Sequence, residues 1–414
     1  MILTSDCMHR VLASPRATAT SAGPKPRIVI AVQLPFTEID YPKFELERLL
    51  EHGFEIDIID MSAVIYPAKI FPRRTSTLPA DVAEIVITEG RELSKLGEVF
   101  DRARLIVCSV SSGHLNKSVL APMRAISASR TPYMLIYRNP VPLIDRPIIR
   151  PTLGQRLRRL NVMNSIMNRL PLSALGVRVA DFIILGGQAS SIPMRLVGRS
   201  TRKAWSYAEA RRNYLDEIEV RPSAPTKKCA VYIDQYFAFH PDMAMVDRSQ
   251  HVDPERIYPV LRAMFTRIEQ ELGLPVVIAA HPRADYSAMP EIFGDRDIVT
   301  GKTAELIRQC DLVVCFYSTA ANFAVMFDKP MFIMKLPELQ KIRGVSNAPD
   351  ALAQVIGKTA VDISDPMSVD LPDVLHVNKE KYRWFIERYI ESDLSLGLGV
   401  ADTIADICAT LGAN

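Results

Sequence analysis

The residues best placed to do chemistry close two apolar runs. Val276-Val-Ile-Ala-Ala-His-Pro-Arg283 is apolar until His281, Pro282 and Arg283, and Leu312-Val-Val-Cys-Phe-Tyr-Ser-Thr-Ala320 runs into Ser318 and Thr319. Read as buried parallel strands, both segments put their polar ends at the carboxyl edge of a sheet, where open α/β sheets bind ligands. An imidazole titrating near physiological pH can hydrogen-bond a phosphate or protonate a leaving one. Arg283 adds a charge-assisted contact, and Pro282 ends the strand and directs the turn. Ser318 and Thr319 add hydroxyls just before an expected helix, whose first N–H groups are unsatisfied and favour an anion. Taken singly, each has a plainer reading, since Ser and Thr are preferred helix caps and a strand-end His can cap a carbonyl. Together they point to a phosphorylated ligand. Lys302 and Thr303, at the start of a short helix expected over residues 303–309, are assigned to the same ligand.

Asp234 ends a third apolar run, Cys229-Ala-Val-Tyr-Ile-Asp234. A carboxylate there can take a proton from an acceptor hydroxyl or make an Asx turn. His240, in the loop that follows, reads as structural. In the first half, Val110-Ser-Ser-Gly-His114 lies between a strand and a helix, so Ser111, Ser112 and His114 are candidates for substrate contact. Arg138 and Asn139 follow another strand and are expected to face the same cleft. No His/Asp/Glu cluster has metal-ligand spacing, so neither a metal nor a cofactor is expected.

The elements that must position these residues alternate. Strands are expected over residues 27–33, 54–60, 104–110, 133–137 and 182–185, with helices over 41–52 and 116–129 and a helical stretch within 82–103. Arg221-Pro-Ser-Ala-Pro225 reads as a linker. Beyond it come a strand from Cys229, a helix over 253–272 with Asp253 as cap and Gly273 after it, the strand ending at His281, the helix 303–309, the strand to Tyr317, a helix over 319–327 and a strand over 330–334. Helices are expected over 379–392 and 400–411. Such alternation predicts α/β architecture with parallel sheets. The implied units are a disordered tail (1–25), two Rossmann-like domains (26–220 and 221–378) and C-terminal helices (379–414), with a cleft between the domains.

Composition is compatible with this. The chain has 414 residues, 48% hydrophobic and 23% charged, enough for two or three domains at about 100–200 residues each. A net charge of +3 gives no reason to expect nucleic-acid binding. The six cysteines show neither a disulfide framework nor zinc spacing, which points to a reducing, cytoplasmic compartment. No apolar stretch reaches the ~18 residues of a membrane span. Residues 153–170 place Leu153, Leu157, Leu160, Met163, Ile166, Met167 and Leu170 at helical spacing among Arg156, Arg158, Arg159 and Arg169. Such a basic amphipathic helix either packs on its own domain or docks on an anionic surface such as the inner membrane.

Two Rossmann-like halves joined near the midpoint are the arrangement of GT-B glycosyltransferases, and no G-x-G-x-x-G follows the first strand to suggest a dinucleotide enzyme. Asp234, His281-Pro282 and Ser318-Thr319 resemble, in order, the acidic, His-Pro and Ser-Ser/Thr motifs of bacterial sialyltransferases and Kdo transferases of the GT-B type. The acidic motif departs from the pattern, with Gln235 and Tyr236 after Asp234. The resemblance implies an inverting, metal-independent transfer of Kdo or another nonulosonate from a CMP-activated donor to a surface-glycan or lipid-linked acceptor. It implies Asp234 as general base, His281 as phosphate ligand or leaving-group acid, and Ser318 and Thr319 as phosphate ligands. Alternatives are a CDP-alcohol phosphotransferase similar to teichoic acid polymerases, a UDP-sugar enzyme with Glu305 on the ribose, and a non-catalytic scaffold of a polysaccharide assembly complex.

Overall fold

The computed structural model describes residues 25–71, 73–111, 115–142, 167, 169–220, 226–240, 250–342, 346–371 and 374–412. Arg27–Val32 (β1), Glu55–Asp60 (β2), Val82–Val86 (β3), Leu105–Ser109 (β4), Tyr133–Tyr137 (β5), Phe182–Leu185 (β6) and Arg202–Trp205 (β7) form one sheet in the order β3-β2-β1-β4-β5-β6-β7. Ala230–Ile233 (β8), Val276–Ala279 (β9), Ile298–Val299 (β10), Leu312–Cys315 (β11), Met331–Lys335 (β12) and Val361–Asp362 (β13) form a second, in the order β10-β9-β8-β11-β12-β13. Neighbouring strands are parallel. Each strand order reverses once, beside β1 and β4 in the first sheet and beside β8 and β11 in the second, and a ligand crevice opens at such a reversal.

The apolar runs arise because both faces of each sheet are covered. Val29 and Ala31 of β1 enter one core, while Ile28, Ile30 and Val32 enter the other. In β8, Val231 and Ile233 pack on one side and Ala230 and Tyr232 on the other. A polar residue therefore appears only where the strand leaves the sheet.

Four elements differ from expectation. The helix expected over 41–52 breaks at Glu45, which adopts a left-handed conformation (φ 50°, ψ 50°) between Asp40–Phe44 and Leu46–Glu51. The stretch 82–103 begins with the edge strand β3, and its α-helix is confined to Leu96–Asp101. Strand β7, Arg-Lys-Ala-Trp with its two leading residues exposed, has no apolar run to announce it. The helix Glu209–Val220 buries only Ala210 and Glu217, so it lacks the apolar stripe from which a helix is read. The helix 253–272 appears as Pro254–Leu272, with the Asp253 side chain accepting from Glu255 N–H and Gly273 left-handed at its end. Residues 153–166 and 168 of the basic helix, and the linker 221–225, lie outside the described residues; Met167 packs into a first-sheet core. Among the described residues no helix is long and apolar enough to cross a membrane.

The C-terminal segment ties the two sheets together. Tyr382, Phe385, Tyr389 and Ile390 pack on the second sheet, whereas Val400, Ala401, Ile404 and Ile407 of the helix Val400–Thr410 pack on the first. Arg48 donates to both carboxylate oxygens of Asp402, at 2.9 and 3.1 Å. The crossing passes so close to Gly187 that a β-carbon there would lie 2.5 Å from the Arg388 carbonyl oxygen. Gly187→Ala is therefore expected to cost about 3 kcal/mol, at the upper end for forced overpacking. Thermal melting of the variant checks this; a wild-type transition would mean that the crossing segment shifts freely.

Candidate functional site

A cavity of about 500 Å³ opens where the second sheet reverses. His281 and Pro282 reach it from the end of β9, Asp234 from the end of β8, and Ser318 and Thr319 from the end of β11. Thr303 joins them from the start of Thr303–Gln309. Ile39, Pro42 and Asn139 reach it from the first sheet's side, and Glu209 and Asn213 line it from Glu209–Val220, a helix whose Ala210 packs into a second-sheet core. A second chamber of about 340 Å³ adjoins the first through Ile39 and Pro282 and carries Leu34, Phe71, Arg73 and Arg283.

His281 sits in a geometry that selects its tautomer. Its Nδ1 accepts the Arg283 backbone N–H at 3.1 Å, so in the neutral ring the proton resides on Nε2. Burial, with repulsion from the nearby His240 and Arg283 positive charges, pushes its pKa down to about 4, from an ordinary value near 6.5. At neutral pH the ring is thus an uncharged Nε2–H donor, suited to a phosphate oxygen. The His240 ring packs against it at 4.8 Å between centroids, nearly perpendicular. The sign of the linkage follows from the depressed value: the neutral ring supports the fold above pH 6.5, and that support is lost as pH falls towards 4. An NMR titration of the His281 ring is expected to show its midpoint near 4; a midpoint near 6.5 would refute the neutral donor.

Asp234 is 5% exposed. Its Oδ1 accepts the Tyr236 N–H at 2.9 Å, and its Oδ2 accepts the Tyr286 hydroxyl at 2.8 Å and the His281 N–H at 3.2 Å. Burial raises its pKa above the ordinary aspartate value, opposed by those hydrogen bonds. The carboxylate thereby pins the turn after β9 to the end of β8. Gln235 accepts the Tyr317 N–H at 3.3 Å, which joins the ends of β8 and β11 in the same way.

Ser318 Oγ accepts the Ala320 N–H at 3.1 Å, so its own hydroxyl proton is still available to a ligand. The helix expected over 319–327 is the shorter Ala321–Met326, with Ala320 as N-cap. Anion binding here thus falls to side chains more than to a helix end. Asn322, 5% exposed, also lines the cavity; its nearness to Ser318 and Thr319 in the chain was the one available signal for it.

The first-domain candidates separate. Asn139 reaches the cavity, where its side chain exchanges two hydrogen bonds with Glu209 (3.0 and 3.2 Å) and holds the start of that helix. Arg138 does not face the cleft. It is 2% exposed, donates to Glu45 at 3.3 Å and to the Lys43 carbonyl, and is enclosed by the first domain. Side chains alternate along an extended segment, so adjacent residues cannot both point into the cleft. Ser111 is buried and lines neither chamber, Lys302 is exposed and lines neither, and Arg283 faces the second chamber alone. Ser112 and His114 lie outside the described residues. Glu209 and Asn213 were missed because nothing local marks the helix that carries them.

No protein-family model matches this chain, and no curated protein matches it. Solved structures do. A structure of the wall teichoic acid polymerase TagF aligns over 94% of this chain and 89% of its own at 12% identity, with a TM-score of 0.51. A second TagF structure, soaked with CDPG, gives 13% identity, the same coverages and a TM-score of 0.50. The calicheamicin glycosyltransferase CalG4 aligns over 94% of this chain and 98% of its own at 12% identity, with a TM-score of 0.48. At these identities the likeness is one of fold, and with the two parallel sheets it defines a two-domain GT-B architecture.

Proposed function

We propose that this chain is a GT-B glycosyltransferase that holds a nucleotide-activated donor at the reversal of the second sheet and transfers its sugar to a glycan or lipid-linked acceptor. The observation that carries this reading is the convergence of the His281 imidazole with Ser318 and Thr319 on one cavity. The neutral Nε2–H and the hydroxyls are preorganised donors for a phosphate that gains charge as it leaves. The finer assignment, a CMP-activated donor of Kdo or another nonulosonate, rests on the order Asp234, His281-Pro282, Ser318-Thr319 along the chain. The second chamber is the acceptor side in this reading. Turnover without added metal and association of residues 153–170 with an inner-membrane surface belong to the same proposal. EDTA dialysis and flotation with anionic vesicles test those two points.

A CDP-activated alcohol is the second reading, favoured by the fold likeness to TagF, one of whose structures was soaked with CDPG. The UDP-sugar reading loses support because Glu305 does not line the cavity. Calorimetric titration of CMP, CDP, UDP and GDP into the protein decides among them. Selective CMP binding is the expected result, and preference for CDP moves the assignment to the alcohol donor. No binding by any nucleotide overturns the enzyme reading and leaves the scaffold.

A further inference from the structure

The second chamber meets the main cavity at Ile39 and Pro282, which line both. Apart from Pro282, Arg283 and Ala284, its wall comes from the first domain: the loop after β1 and the segment that carries Phe71 and Arg73. Two guanidinium groups thus line one chamber, Arg73 from the first domain and Arg283 from the second, and neither lines the main cavity. Arg73 is held at one end. Its Nη1 donates at 3.1 Å to Oδ2 of Asp60, whose side chain is fully buried at the end of β2. Asp60 is fixed in turn, with Oδ1 accepting the Ser62 N–H at 2.8 Å. The Arg73 side chain nevertheless stays 53% exposed, and among the described residues it makes no other hydrogen bond. Arg283 is anchored through its backbone, whose N–H donates to His281 Nδ1. Glu38 also lines the chamber, but its Oε1 accepts the N–H groups of Thr75 and Ser76 at 2.9 and 2.7 Å and the Thr75 hydroxyl at 3.2 Å. That carboxylate ties the loop after β1 to the segment carrying Arg73. Leu34, Ile39 and Phe71 give the same chamber an apolar part.

Resting on the transferase reading, we infer that the second chamber selects an acceptor that carries an oxyanion, phosphate or carboxylate, beside an apolar face. Arg73 and Arg283 receive the oxyanion, and Phe71, Leu34 and Ile39 receive the apolar face. A guanidinium is a planar fork whose parallel N–H groups match the oxygens of such a group. Asp60 occupies one nitrogen of the Arg73 fork, so the remaining donors can turn to a ligand while the buried carboxylate keeps its partner. Arg283, which the His-Pro-Arg order attaches to the donor phosphate, serves the acceptor instead. Because the two spaces adjoin at Pro282, an acceptor held in this way can extend towards His281 and Ser318.

The test uses the full chain saturated with CMP, which fills the donor site, and titrates phenyl phosphate against neutral benzyl alcohol by calorimetry. Phenyl phosphate is expected to bind at least about tenfold more tightly. Arg283→Gln should weaken it by about 10- to 100-fold, the range for one hydrogen bond to a charged group, and leave CMP affinity within about threefold. Arg73→Gln would strand the buried Asp60, so Arg73→Lys is the second variant. It keeps a positive charge but not the fork, and should weaken phenyl phosphate by about tenfold with an unchanged melting temperature. Unchanged phenyl phosphate affinity in both variants, or displacement of phenyl phosphate by CMP, overturns the inference. Loss of CMP affinity in Arg283→Gln returns that arginine to the nucleotide and overturns it as well. Weakened CMP-N-acetylneuraminate binding with CMP binding intact would assign the arginines to a carboxylate of the donor, against an acceptor site. A wild-type chain that binds phenyl phosphate through both arginines but binds no nucleotide supports the oxyanion site and removes the transferase reading.

Discussion

His281→Ala is expected to weaken nucleotide binding by about 10- to 100-fold, the range for one hydrogen bond of about 1.5–3 kcal/mol to a charged group. Turnover should fall further, by about 10²–10³, because a donor aimed at the leaving phosphate matters most when charge develops there. The reason lies in the tautomer. With Nδ1 accepting the Arg283 N–H and burial pushing the pKa down to about 4, the ring offers Nε2–H at every pH from about 5 upward. The kcat/KM profile of the wild type, which reports the free enzyme, is therefore expected to lack a histidine limb between pH 6 and 8. His281→Gln, which retains an N–H donor, should recover part of the affinity. Calorimetry and steady-state rates check both statements. An alanine variant with unchanged affinity would place the phosphate elsewhere.

The second large effect concerns stability. Arg138→Ala is expected to cost about 3–5 kcal/mol, the range for breaking a buried ion pair and stranding its partner charge. The stranded group is Glu45, whose side chain, like that of Arg138, is 2% exposed. Glu45 also accepts the Ala401 N–H at 3.2 Å, at the start of the helix that returns to the first domain. It does so from a left-handed backbone, a conformation that persists in a non-glycine residue only where its surroundings over-determine it. Arg138, Glu45 and the returning helix thus form one unit, and loss of the arginine releases all three. Against a total stability of about 5–15 kcal/mol, urea unfolding should show a large fall in midpoint. Nucleotide affinity of the folded variant should stay within about threefold. A variant of normal stability with lost affinity would return Arg138 to the ligand.

These two residues show what was legible and what was not. His281 could be found because it ends an apolar run, and that position alone puts it at the edge of a sheet. Arg138 also follows an apolar run and was assigned to the cleft by the same rule, yet the structure turns it inward. The rule locates a strand end; it does not say which way a side chain points. Only Glu45, 93 positions away, decides that. The reverse error hid Glu209. Its helix is polar on most sides, and its relation to Asn139, 70 positions distant, leaves no mark on either local sequence.

The sequence by itself determined the α/β class, the division into alternating halves and the strand ends at which His281, Asp234 and Ser318 stand. It could do so because a parallel strand covered on both faces must be apolar until it leaves the sheet, and that constraint is local. Tertiary structure alone decided which strand-end residues share a cavity and which proton His281 carries. Those outcomes depend on hydrogen-bond partners brought together across the two sheets by packing, and no spacing along the chain encodes them.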